Sequence, residues 1–129
     1  MRPSYYKFTI DGKEYQVIDI IHEKDLTYDL GTALAYILRA GYKDKNTYKQ
    51  DLEKACTHLQ FQLTKMIKKK EGKICIIPHS IFTFENLSKY YNLPFKLKLI
   101  GYKIYDHVFL SQESLSESLL LLKEYIHDL

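Results

Sequence analysis

The chain predicts an α+β fold, and three observations carry that expectation. Asp11-Gly12 stands between two short runs of strand character, and this dipeptide suits a two-residue hairpin turn. The stretch Asp29–Leu59 holds two apolar periodicities of helical spacing, separated by a glycine stop and a basic connection. Beyond Lys70 the pattern changes to short Ile- and Leu-rich runs divided by Pro and Gly, then ends in a further helical stretch. The expected architecture is an N-terminal β-hairpin and helical hairpin, followed by a small mainly antiparallel sheet with two helices. At 129 residues the chain suits one domain. Residues 1–70 form its mainly helical half and 71–129 its mixed half.

Taken in order, Tyr6 to Ile10 alternates, and Lys13 to Gln16 returns as the second strand. Val17, Ile18, Ile20 and Ile21 suit either a continuation of that strand or a short helix to Lys24, and periodicity does not separate the two. Asp19, His22 and Glu23 are read as a solvated face. In the next helix Leu30, Ala33, Leu34, Ile37 and Leu38 make one apolar face, with Thr32, Tyr36 and Arg39 opposite and Lys43 just past the end. Gly41 stands where a left-handed residue stops a helix. Thr47 with Gln50 matches a capping box for the second helix. Its buried stripe is Leu52, Ala55, Cys56, Leu59, Leu63, Met66 and Ile67, flanked by Asp51, Lys54 and His58. Such a hairpin can gather Tyr36, Arg39, Lys43, Asp51, Lys54 and His58.

Lys68 to Gly72 reads as a solvated helix end, where cations meet the negative pole. Ile74 to Ile77, closed by Pro78, predicts a short buried strand, and Pro78-His79-Ser80 an exposed loop. Thr83 caps a short helix to Tyr91, with Phe84, Leu87 and Tyr90 or Tyr91 inward. Pro94 opens a β-like region in which Lys96 and Lys98 alternate with Leu97 and Leu99, so a strand is expected across Phe95 to Leu99. Gly101 then marks a turn or bulge, and Tyr102 to Leu110 returns as another strand. The final helix opens at Ser111 or at Ser114, the latter boxed with Glu117. Leu115, Leu119, Leu122, Ile126 and Leu129 follow heptad spacing. That seam serves either packing on the domain's own sheet or self-association into a homo-oligomer.

Composition narrows the function classes. A net charge of +3 suits an anionic small ligand and falls short of a nucleic-acid footprint. Twelve tyrosines supply rings and hydroxyls suited to stacking on a base or filling an interface. Cys56 and Cys75 lie in apolar runs and are expected as buried free thiols. The five histidines lack helical i, i+4 pairing, so no metal site is expected. No glycine-rich phosphate loop and no nucleophile-elbow serine occur. Without a charged-then-apolar leader or a run of about 18 apolar residues, the expectation is a cytoplasmic protein that does not span a membrane.

A resemblance extends this reading. The residues that carry it are Pro3 and Tyr6, then Val17-Ile18-Asp19-Ile20-Ile21, then Gly31 through Lys43, followed by Asp51-Leu52, Lys54-Ala55 and Leu59. Over roughly the first 65 residues the chain resembles the small bacteriophage family called SaV-like, whose relatives include phage nucleotide kinases. The resemblance implies a nucleotide ligand, with Arg39 and Lys43 on phosphate, Tyr36 against a base or ribose, and Lys54 and His58 beside them. It makes Asp19 and Asp51 the candidates for placing magnesium or the acceptor, should kinase activity be retained. The chain departs from the family pattern at Tyr5, where the family has His, and at Thr32 and Ala35, where it favours Asn and Lys. Losing a cation bears directly on phosphoryl transfer, which rests on positioning and charge stabilisation. The pattern therefore suits retained binding better than retained catalysis. Three functions follow from the resemblance: a nucleotide-binding protein, an active nucleoside monophosphate kinase, or a phage anti-defence protein. The last would sequester a nucleotide signal or bind and inhibit a host protein.

Overall fold

Asp11 and Gly12 take positive φ, 51° and 78°, the two left-handed residues that a hairpin turn between twisted strands requires. They join β1 (Lys7–Ile10) to β2 (Lys13–Gln16), paired antiparallel with Phe8 opposite Tyr15. The computed structural model describes residues 7–77 and 81–129. Pro3, Tyr5, Tyr6 and the Pro78-His79-Ser80 loop lie outside the described residues. The chain continues through α1 (Val17–Glu23), α2 (Tyr28–Arg39), α3 (Tyr48–Lys68), β3 (Lys73–Cys75), α4 (Phe84–Tyr90), α5 (Phe95–Tyr105), β4 (Phe109–Ser111) and α6 (Gln112–His127). The fold is α+β as expected, with helix predominating among the described residues. β3 and β4 form a second antiparallel pair, with Ile74 opposite Leu110.

The ambiguous Val17 stretch is helical because Asp19 closes a capping box, its Oδ2 accepting from the Gln16 amide at 2.7 Å. Thr27 caps α2, accepting from the Leu30 amide at 3.2 Å, and Gly41 follows the helix at φ 77°. Thr47 does not form the expected capping box. Its ψ of 5° turns it from the extended cap geometry, and its hydroxyl donates to the Asp44 carbonyl at 2.7 Å. A short 3-10 turn over Lys45–Thr47 leads into α3 instead. Ser111, rather than Ser114, caps α6.

α3 is the central helix, packed on α2 along one side and on α6 along another, with α5 covering α6. Leu34, Ile37 and Leu38 meet Leu52, Ala55 and Leu59 in a core that extends to Leu115, Leu119, Leu122 and Ile126. The heptad seam packs within the chain, so its spacing lends no support to a homo-oligomer. Four of the five heptad residues are buried within the chain, and only Leu129 is exposed. The seam packs on the helices α3 and α5, not on a sheet.

The second half differs most from expectation. Phe95 to Leu99 is no strand but the start of α5, which also takes up Tyr102 to Tyr105 of the strand expected from Tyr102 to Leu110, leaving only Phe109 and Leu110 of it in β4. The local Lys-Leu alternation spans too few residues to decide. Leu97, Ile100, Gly101, Ile104 and Tyr105 are the buried positions, and their spacing is helical. Gly101 is therefore no bulge. It sits inside α5 where a Cβ would lie 2.0 Å from the Phe84 ring, so its missing side chain is what lets α4 and α5 meet. Tyr105, fully buried, donates from its hydroxyl to the Leu30 carbonyl at 2.7 Å and ties α5 to α2. Cys75 is exposed on β3, another correction, because alternate side chains of a strand face opposite sides and Ile74 takes the inward one. Cys56 is half-buried, and burial pushes its thiol up to about 11.

Candidate functional site

Helical spacing brings the site together. On α2, Tyr28, Tyr36 and Arg39 lie along one side, and on α3 Lys54, His58, Phe61 and Lys65 recur at i, i+4, i+7 and i+11. Packing of α2 on α3 sets these two rows against each other. The Tyr36 and His58 rings stack with centroids 6.4 Å apart and planes at 18°. The Arg39 guanidinium carbon lies 4.7 Å from the Tyr36 ring centre, and the Lys54 ammonium 5.6 Å from it. Each is within the range of cation–π attraction. Tyr28 and Phe61 approach the same imidazole edge-on, at 5.9 and 5.7 Å.

Asp29 anchors this arrangement from beneath. Its side chain is 5% exposed, and its Oδ1 accepts from His58 Nδ1 at 2.9 Å while Oδ2 accepts from Lys65 Nζ at 2.9 Å. Burial alone would raise the Asp29 carboxyl, but the bonds from His58 and Lys65 outweigh it and hold it below the usual carboxylate range. An ionised carboxylate only accepts, so Nδ1 carries a proton. His58 is thereby fixed in orientation between Tyr36 and the Tyr28–Phe61 side.

Of the residues expected from the sequence, Tyr36, Arg39, Lys54 and His58 come together on this face. Lys43 does not join those ring contacts among the described residues. It lines an open cavity of about 660 Å³ in the α2–α3 connection, with Tyr42, Lys45 and Tyr48. Asp51 supports that connection from below, its Oδ2 accepting from the Gly41 amide at 3.1 Å and the Thr47 hydroxyl at 3.3 Å. Asp19 lies elsewhere, capping α1 and lining a separate cavity with His22 and Glu23. Each of the two carboxylates weighed for catalysis thus accepts from a nearby backbone amide. Among the described residues no three His, Cys, Asp or Glu side chains cluster to hold a metal ion.

Sequence reading missed Asp29, Lys65, Phe61 and Tyr28. Phe61 and Lys65 were findable by continuing the Lys54–His58 row along its helix. Asp29 was not, because an acid in the first turn of a helix is already accounted for by the helix dipole. Among the described residues no helix is long and apolar enough to cross a membrane. Comparison with family models, with curated proteins and with solved structures found no match to this chain.

Proposed function

We propose that the chain binds a phosphate-bearing nucleotide on the α2–α3 face, as a phage-type nucleotide-binding protein that holds its ligand without turning it over. The observation that carries this is the pair of cations, Arg39 and Lys54, set over the Tyr36 ring that stacks on His58. Cations beside aromatic surface suit the two ends of a nucleotide, whose phosphate takes a cation and whose base packs on a neighbouring ring. The resemblance to the SaV-like family points the same way. Asp19 and Asp51 each accept from a nearby backbone amide, which favours binding over phosphoryl transfer. In a phage-infected cytoplasm such binding would sequester a nucleotide signal of the host.

The test is calorimetric titration with mono-, di- and cyclic nucleotides. A charge-assisted bond contributes about 1.5–3 kcal/mol, so Arg39→Ala should weaken binding at least about tenfold. Arg39→Lys should recover part of it, since lysine keeps the charge and loses the fork. A native protein that binds none of these ligands, or an Arg39→Ala variant that binds equally well, sinks the reading. Recovering the ligand intact after incubation separates sequestration from hydrolysis.

A further inference from the structure

We infer that the face takes a single-stranded oligonucleotide, with the nucleotide site of Tyr36 and Arg39 as one position in a longer track. This rests on the nucleotide reading and names the ligand class. The row on α3 does not end at His58. Phe61 is 52% exposed and Tyr28 75% exposed, so two further rings present their surfaces to solvent beside the imidazole. Lys68, exposed about one turn beyond, continues the cations, while Lys65, its side chain 55% exposed, is paired with Asp29. Lys54 and Lys65 are about three turns, or about 16 Å, apart along the helix axis. A mononucleotide occupies only part of that length.

The chemistry of the track selects the occupant. Rings flanked by cations suit unpaired bases that stack and a backbone that carries one negative charge per nucleotide. A duplex hides its base faces and would use the cations alone. The acid among these residues, Asp29, is nearly buried and spends its charge on His58 and Lys65, so it does not repel a polyanion from the surface. The net charge of the whole chain, +3, understates this face in part, since Glu113, Glu117 and Glu124 lie on α6, while Asp51 and Glu53 share α3 with the track.

Fluorescence polarisation with labelled single-stranded DNA and RNA of about eight nucleotides, beside calorimetry with the mononucleotides, tests the inference on the full chain. The octamer should bind at least about tenfold tighter than any mononucleotide, and tighter than a duplex of the same length. Phe61→Ala and Tyr28→Ala should each weaken the octamer by about tenfold, more than they weaken the mononucleotide. Both side chains are exposed, and circular dichroism checks that the variants stay folded. Octamer affinity no better than that of a mononucleotide overturns the track and leaves the nucleotide site standing. Failure of both ligands overturns both readings. Octamer binding indifferent to Phe61 and Tyr28, or a duplex bound as tightly, reduces the face to general charge attraction and overturns the inference.

Discussion

Asp29 Oδ1 and His58 Nδ1 meet at 2.9 Å across the α2–α3 interface. The carboxylate comes from the first turn of one helix and the imidazole from the middle of the next. Their bond sets which ring nitrogen bears the proton and directs the ring plane toward Tyr36. At neutral pH, long-range nitrogen–proton NMR should find His58 protonated at Nδ1. In Asp29→Ala that preference should relax toward the ordinary tautomer mixture. A parent imidazole with its proton only on Nε2 would contradict the geometry.

Asp29 also predicts an acid dependence of stability. Its carboxyl is depressed in the folded state, against the opposing effect of burial, by His58 and Lys65. The stabilisation it contributes is therefore fully present above the ordinary carboxylate pKa, and is lost as pH falls through the depressed folded value. Urea unfolding of parent and Asp29→Asn should show the largest difference near neutrality, shrinking through the acid range. A difference that grows on acidification would reverse the sign and defeat the argument.

Lys24 and Asp106 make a second charged pair, at 4.0 Å, with Lys24 only 1% exposed. Burial lowers the Lys24 ammonium, against the attraction of Asp106 and Glu23, and raises the Asp106 carboxyl. Lys24 Nζ also donates to the Tyr105 carbonyl at 3.3 Å, and Asp106 accepts from the Phe84 amide at 3.0 Å. Removing one partner leaves the other desolvated and poorly matched. Lys24→Met should cost about 3 kcal/mol or more, and adding Asp106→Asn should restore a good part of it. Strict additivity in chemical denaturation would show that the two groups do not interact.

Gly101 faces Phe84 with no room for a methyl group. A Cβ there would lie 2.0 Å from Phe84 Cζ, and Phe84 is fully buried against Tyr105. Gly101→Ala should destabilise by about 1–3 kcal/mol despite the better helix propensity of alanine. Phe84→Leu in the same chain should relieve the clash, so the double variant should lose less than the two single losses combined. A more stable Gly101→Ala protein would mean that α4 and α5 are spaced more widely than found here.

What the amino-acid sequence determined by itself was local. Asp11-Gly12 demanded the hairpin, because left-handed backbone is inexpensive there and costly elsewhere. Leu30 to Leu38 and Leu52 to Met66 demanded two amphipathic helices, because their apolar spacing repeats over several turns. The shared face of Tyr36, Arg39, Lys54 and His58 was legible from the same spacing. Phe95 to Leu99 was misread because four alternating residues satisfy a strand pattern while the buried period that makes α5 appears only over the full helix. The role of Asp29 could not be read at all. Whether a first-turn carboxylate meets solvent or a histidine on the next helix depends on how α2 is rotated against α3, and packing of the whole core sets that rotation. The fate of Leu115 to Ile126 was likewise open, since a heptad seam looks alike whether it meets a second copy or its own chain. Tertiary packing decided it: α3 and α5 lie against α6 and bury Leu115 to Ile126 within the chain.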